Sequence, residues 1–410
     1  MKIAFIVFEF PHLSETAILN QVTGLLRRGH HVDIYATKVL PGISKFHADV
    51  EEYNLFSRTY CRGVPSNKIE RLLQGATYIA ANFYKKPIVL LKLLNIFKYG
   101  KAAAALWKLC AAGSFLDKGA YDIIHCHYGT AGEFGVLLKE TGVVNGKLVI
   151  AFHGNDISRY VKEYGDNIYD EVFEKGDLFL PVSEHWKQKL IRLGCDARKI
   201  VVHRAGINLE RFPLRLDKVE NNSQIRLLTV GRLVEKKGVE YSIRAVAKIV
   251  NKYPGLKYNI VGDGSLRDNL ECLVKELEVG NNIEFFGAQE QEKVSLLMQN
   301  ADIFLAPSIT SQEGDQEGIP ATLMEAMACG LPVLSTLHSG IPELVQDGKS
   351  GFLVPERNVE ALAEKLEYLL NHQKCWSEMG LAGRKYVEQN HDINKLNGQL
   401  ERIYKQLLNS

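Results

Sequence analysis

Short uninterrupted apolar runs, each too brief for a helix and most followed by an amphipathic stretch, recur along almost the whole chain. Residues 3–8, 32–36, 123–126, 148–152, 178–182 and 200–202 read as buried strands in the first half. Residues 225–230, 257–261, 283–286, 303–306, 332–335 and 351–354 repeat the pattern in the second, with Pro332 at a strand start, where a missing N–H is tolerated. A strand that is apolar on both faces must be covered on both, and strand–helix alternation does this with a parallel sheet. The expected fold is therefore α/β, with two doubly wound Rossmann-like domains facing a central cleft. Ligands of such sheets bind at the carboxyl ends of the strands.

The length of 410 residues suits two domains, and a 46% hydrophobic content gives each a core. Between them, Arg211-Phe212-Pro213 and Val219-Glu220-Asn221-Asn222-Ser223 form a polar, turn-rich break. The expected boundaries are a first domain over 1–205, a linker over 206–222, a second domain over 223–385 and a terminal helix over 386–410. Residues 359–408 read as helical and amphipathic.

Composition excludes several classes of function. Fifty Lys and Arg against 48 Asp and Glu leave a formal charge of +2, so the whole chain is not a polyelectrolyte binder. Seven scattered cysteines without a CxxC pair argue against a disulfide framework or a zinc ribbon, and for a reducing compartment. The apolar run at 3–8 stops at Glu9, too short for the core of a signal peptide, and no apolar stretch is long enough to span a bilayer. A cytoplasmic location is expected.

Charge is uneven locally. Residues 68–118 hold nine basic side chains against Glu70 and Asp117, interleaved with Tyr78, Phe83, Tyr84, Phe97, Tyr99 and Trp107. An anionic membrane surface would suit that stretch, placing the protein peripherally on the cytoplasmic face of the inner membrane. Ordinary surface helices with a buried stripe and a solvated basic face would produce the same pattern. No nucleic-acid-binding module accompanies it, and nucleic acid is not expected as a partner.

Four segments carry chemistry. In Glu317-Gly318-Ile319-Pro320-Ala321-Thr322-Leu323-Met324-Glu325, Pro320 suits the first turn of a helix. The free backbone N–H groups of Gly318, Ile319 and Ala321 would then face an anion, reinforced by the helix dipole. Glu325, about two turns on, could accept from the two hydroxyls of a ribose beside that anion, and Glu317 from sugar hydroxyls on the other side. A second segment, Gly231 to Gly238, follows a strand and offers Arg232 and Lys237 to a leaving diphosphate. A third, Phe152-His153-Gly154, sets His153 at a strand end facing the same cleft. In the fourth, Val261-Gly262-Asp263-Gly264, a tight turn brings the backbone of Gly262 and Gly264 near a nucleotide. His125-Cys126-His127 alternates along a strand, so both histidines share a face. No third or fourth ligand is evident, and no metal site is expected.

Taken together these residues resemble a family. Gly231-Arg232-Leu233 through Lys237-Gly238, Val261-Gly262-Asp263-Gly264, Pro307-Ser308 and the nine-residue glutamate motif are similar to the retaining glycosyltransferases of family four, with the GT-B fold. So are Gly330-Leu331-Pro332-Val333 and Gly340-Ile341-Pro342-Glu343 through Gly351-Phe352-Leu353-Val354. Phe10-Pro11-His12-Leu13-Ser14-Glu15-Thr16 stands where many members carry a Gly-Gly loop, and looks like the branch working on bacterial exopolysaccharide, such as the colanic-acid type. Ser14 would cap the helix that follows.

The resemblance implies retaining transfer of a hexose from a nucleotide-diphosphate sugar to a saccharide or lipid-linked acceptor. It places Glu325 on the ribose, Arg232 and Lys237 on the diphosphate, Glu317 on the donor sugar and His153 opposite. It implies no cofactor and no essential metal, since two cationic side chains do the metal's work. Alternatives on the same fold are an epimerase, a phosphorylase or an inactive nucleotide-sugar-binding protein.

Overall fold

A computed structural model describes residues 1–11, 16–40, 48–215 and 224–410. The Ser14 cap and linker positions 216–222 lie outside the described residues. The first unit has six strands, β1 (Lys2–Phe10), β2 (His31–Val39), β3 (Thr59–Cys61), β4 (Ile123–His127), β5 (Lys147–Phe152) and β6 (Leu178–Pro181), in the order β3-β2-β1-β4-β5-β6. The second has β7 (Ile225–Val230), β8 (Leu256–Val261), β9 (Ile283–Gly287), β10 (Ile303–Ala306), β11 (Val333–Thr336) and β12 (Gly351–Val354), in the order β12-β11-β10-β7-β8-β9. Every strand pairing in both sheets is parallel.

Alternate residues of a central strand serve different layers, as the period of two requires. On β1, Ile3, Phe5 and Val7 belong to one buried cluster, while Ala4 and Ile6 belong to the other, with Phe115 and Leu148. On β7, Leu227 and Leu228 divide in the same way.

Three expectations need correction. Residues 200–202 form no strand: a single bridge joins Ile200 to Phe179, and Val201 is exposed, so the pairing is too short for a ladder. Strand β3 was not anticipated, because three half-exposed residues carry no apolar run. Pro332 precedes its strand, and its carbonyl accepts from the Phe304 N–H.

The tail is three helices. Val359–Asn371 packs on Val239–Ile249, and Cys375–Asn390 on Ala321–Ala328, both in the second unit. At His391 and Asp392 the chain turns back. The Ile207 N–H donates to the His391 carbonyl at 2.9 Å and the Ile393 N–H to the Ile207 carbonyl at 3.1 Å. The last helix, Ile393–Asn409, then packs on Thr16–Arg27 of the first unit. The crossing helix therefore starts at Ile393, and residues 386–390 stay with the second unit. Leu400 and Tyr404 are fully buried in the same cluster as Ile3 and Phe5.

Candidate active site

In both sheets the strand order reverses direction around the first strand of the unit, between β1 and β4 and between β7 and β10, which is where doubly wound sheets open a crevice at their carboxyl ends. Those ends face each other across a cavity of about 1330 Å³. His153, Gly231, Arg232, Lys237, Glu317, Gly318, Ile319, Ala321 and Glu325 all line it.

The second unit supplies charge. Lys237 Nζ lies 2.9 Å from Glu317 Oε1, and neighbouring Lys236 pairs with Asp315 at 3.0 Å. Burial pushes the Glu317 carboxyl up, but the two lysines, with His338 behind them, outweigh it and bring it down to about 2. Its backbone is pinned as well. The Glu317 N–H donates to His338 Nε2 at 3.0 Å, and Ser339 Oγ donates to its carbonyl at 2.6 Å. His338 Nδ1–H donates in turn to Glu356 at 2.6 Å, which fixes the ring as an acceptor toward Glu317.

Glu325 stands in contrast. It is buried in the second turn of Ala321–Ala328, lines the cavity and makes no side-chain hydrogen bond among the described residues. Burial raises its carboxyl to about 7, with only Lys237 opposing. Arg232 is exposed and equally without a partner among the described residues.

Pro320 is the N-cap rather than the first helical residue, with its ψ of 119° still extended. Its carbonyl accepts from Leu323 and Met324, which leaves the N–H groups of Gly318, Ile319, Ala321 and Thr322 without a protein acceptor among the described residues. Gly262 and Gly264 do not line the cavity. A Cβ on Gly262 would sit 1.8 Å from the Gly231 carbonyl and one on Gly264 2.5 Å from that of Leu233, so the turn is a tight support beneath the Arg232 loop. Ser265 and Leu266 are the residues of that turn that reach the cavity.

The first unit supplies a column of rings. Tyr404 Oη and His125 Nδ1 are 2.6 Å apart, the His125 and His127 rings stack at 4.4 Å, and His127 Nδ1 lies 3.0 Å from His153 Nε2. Burial drives His125 and His127 well below their ordinary range and His153 down to about 4, so all three are neutral near pH 7. Asp156 shapes the loop that carries His153. Its carboxylate accepts from the N–H groups of Gly129, His153 and Gly154 at 2.9 to 3.0 Å. His125 and His127 share a face of their strand, but the contact of His127 with His153, 26 positions further on, has no local signal in the sequence.

The units touch directly beside the cavity. A Cβ on Gly318 would lie 2.1 Å from the His153 carbonyl, so only glycine permits this approach. Glu343 Oε2 and Oε1 accept from the N–H groups of Glu184 and His185 at 2.9 and 2.7 Å, capping a first-unit helix from the second unit. Among the described residues no group of three or more His, Cys, Asp or Glu could hold a metal ion, and no helix is long and apolar enough to cross a membrane.

Residues 14–211 match the description "Glycosyltransferase Family 4", and residues 211–386 match "Glycosyl transferases group 1". The chain is 38% identical to the amylovoran biosynthesis glycosyltransferase AmsK of Erwinia amylovora, over 99% of this chain and 100% of AmsK. This chain belongs to the group 1, family 4 glycosyltransferases. A second relative in the family is WcaL of Escherichia coli K12, whose name assigns it provisionally to colanic acid biosynthesis; it is 37% identical over 89% of this chain and 90% of its own. The crystal structure of Anabaena HepE in complex with UDP and glucose shares the fold, with a TM-score of 0.73 and 17% identity over 99% of this chain and 100% of HepE. The protein is therefore a transferase with the GT-B fold, as the sequence resemblance implied.

Proposed function

We propose that the chain transfers a hexose, with retention of anomeric configuration, from a nucleotide-diphosphate sugar to a lipid-linked or saccharide acceptor in exopolysaccharide biosynthesis. One observation carries this reading. A single cavity between the units holds an unpaired Arg232, Lys237, four free backbone N–H groups and a buried carboxyl, Glu325, without a protein partner. Those groups match a diphosphate flanked by a ribose. The names of AmsK and WcaL support the exopolysaccharide context, and the UDP complex of HepE supports a nucleotide sugar.

In this reading Glu325 accepts from the ribose hydroxyls, while Arg232 and the N–H groups from Gly318 to Thr322 hold the diphosphate. Lys237 bridges the leaving diphosphate and Glu317, which orients the donor sugar. The bond from the anomeric carbon to the phosphate oxygen breaks, and the diphosphate keeps the electron pair. The acceptor oxygen bonds to that carbon on the same face, and its proton passes to the departing phosphate oxygen. His153, neutral and held by His127, presents its second ring nitrogen to the donor sugar. Cation side chains offset the developing charge, so no metal or other cofactor is required.

The four helices spanning 68–112 place Leu72, Leu73, Tyr84, Ile88 and Leu91 in solvent beside Lys85 and Lys92, a surface suited to an anionic bilayer on the cytoplasmic side. Thermal shift and slow hydrolysis across UDP-, GDP- and ADP-sugars, with and without EDTA, test the donor. One stabilising, hydrolysed donor insensitive to EDTA is expected, and silence on folded protein would defeat the reading. NMR of the product's anomeric proton tests retention. Loss of vesicle co-sedimentation in a Lys85→Glu/Lys92→Glu variant tests the surface.

A further inference from the structure

Residues 310–317, between β10 and the helix Ala321–Ala328, form one rim of the central cavity, which Ser311, Glu313, Asp315 and Glu317 line. The same segment reaches across the cleft. Lys162 Nζ donates to the Gln312 carbonyl at 2.9 Å, the Gln316 N–H donates to Ser158 Oγ at 3.2 Å, and Arg159 pairs with Glu313 at 3.0 Å. The segment is neither helix nor strand, so no ladder of backbone bonds fixes it. Its shape depends on the side chains behind it.

One carboxylate holds both ends. Glu356, just after β12, accepts at Oε2 from the Thr310 N–H at 2.8 Å and at Oε1 from the Thr310 hydroxyl at 3.3 Å. The same Oε1 accepts from His338 Nδ1 at 2.6 Å, and His338 Nε2 accepts from the Glu317 N–H at 3.0 Å. A backbone N–H can only donate, so Nε2 is the bare ring nitrogen and Nδ1 bears the proton that Glu356 accepts. Gln316 Nε2 donates to the Thr310 hydroxyl at 3.0 Å, which ties the segment to itself. Burial would push the Glu356 carboxyl up, but the bonds from Thr310 and His338 outweigh it and lower it. The His338 side chain is fully buried, and neither it nor Glu356 lines the cavity.

We propose that Glu356 is a positioning residue for sugar transfer, acting through the Nδ1–H tautomer of His338 to set where Glu317 and the free N–H groups after it stand against the donor. Glu356 fixes the start of the rim directly and its end through the imidazole, so the cross-cleft contacts and the Glu317 carboxylate keep one register. This rests on the transferase reading above and adds to it two residues that touch no substrate.

Three variants and one spectrum test it. In Glu356→Gln the amide can accept at only one of its two positions, so either Thr310 or His338 loses its acceptor. A fall in kcat of at least about ten-fold is expected, with donor KM within about three-fold, because Arg232, Lys237 and Glu325 still hold the nucleotide. His338→Phe keeps the volume, removes both ring bonds and should lose as much. His338→Gln, whose amide can accept from Glu317 and donate to Glu356, should recover most of kcat. In the wild type labelled with [15N]histidine, long-range 1H–15N correlation should show a protonated Nδ1 and a bare Nε2 for the ring that disappears in His338→Phe. Wild-type kcat in folded Glu356→Gln, equal kcat in the two His338 variants, or a protonated Nε2 at His338 would each overturn the proposal. Should Glu356→Gln fail to fold, the His338 pair and the spectrum decide. The spectrum needs no substrate, so a silent donor panel would defeat the transferase reading and leave the tautomer test in force.

Discussion

On the second unit's side of the cleft, Lys237, Glu317, Arg232 and Glu325 bring formal charges together; on the first unit's side, His125, His127 and His153 are buried and neutral. The charged wall is held by compensation where Lys237 meets Glu317 and Lys236 meets Asp315, while Arg232 and Glu325 stand without a partner among the described residues. The neutral wall is held by stacking and by single hydrogen bonds that run back to Tyr404. Removing a member should therefore cost far more on one side than on the other.

The largest effect is expected from Lys237→Ala. Loss of a donor aimed at developing charge lowers turnover about 10² to 10³-fold. Glu317 is also left buried and underpaired, a loss of about 3 to 5 kcal/mol in such cases. Lys237→Met/Glu317→Gln should recover the melting temperature without recovering turnover. If the single variant keeps both, the contrast between the walls collapses.

Gly318→Ala comes next, because it forces the walls apart. The new methyl would overlap the His153 carbonyl, and a displacement of about 1 Å between reacting groups can cost about a hundred-fold in rate. Steady-state kinetics should show kcat falling while nucleotide affinity changes little. Unchanged kcat would mean the contact at His153 does not set the geometry of the cleft.

A smaller effect sharpens the difference within the charged wall. Glu317, depressed to about 2, contributes stability above its unfolded value of 4.5 that is lost as pH falls from there toward 2. Glu325, raised to about 7, has the opposite sign. Between 4.5 and about 7 the native state holds a proton that the unfolded chain has released, so its contribution falls as pH rises through that window. Melting temperatures at pH 5 and pH 7.5 should therefore differ by a few degrees less in Glu325→Gln than in the wild type. Parallel shifts in the two proteins would contradict the elevated carboxyl.

The smallest change is expected from Tyr404→Phe, which removes one hydrogen bond from the neutral column. A loss of about 1 kcal/mol in stability is expected, with turnover within about two-fold of wild type. A larger loss of turnover would show that the column does more than hold His153 in place.

How much of this was legible in the sequence follows the same division. The glutamate motif and the Arg232/Lys237 loop are local, so spacing alone brought their residues to the cavity. Gly262 and Gly264 were legible as a turn, but their tight packing under Gly231 and Leu233 depends on two segments meeting. The contacts of His127 to His153, His338 to Glu317 and Tyr404 to His125 join residues 26, 21 and 279 positions apart, and no local pattern announces them. Asp156 was no easier to see: its carboxylate accepts from N–H groups two and three residues before it, the reverse of the forward Asx turn that a sequence signals. The failure at 200–202 has the same root, since an apolar triplet does not reveal whether a neighbour will pair with it.

The last helix has a bearing on how the protein is made. Leu400 and Tyr404 close the core that begins at Ile3, so the unit synthesised first cannot be completed until nearly the whole chain has left the ribosome. During translation the face of the first sheet that awaits Leu400 and Tyr404 stays open, and a messenger truncated just after Asn390 would yield a complete second unit beside a first unit lacking its final layer.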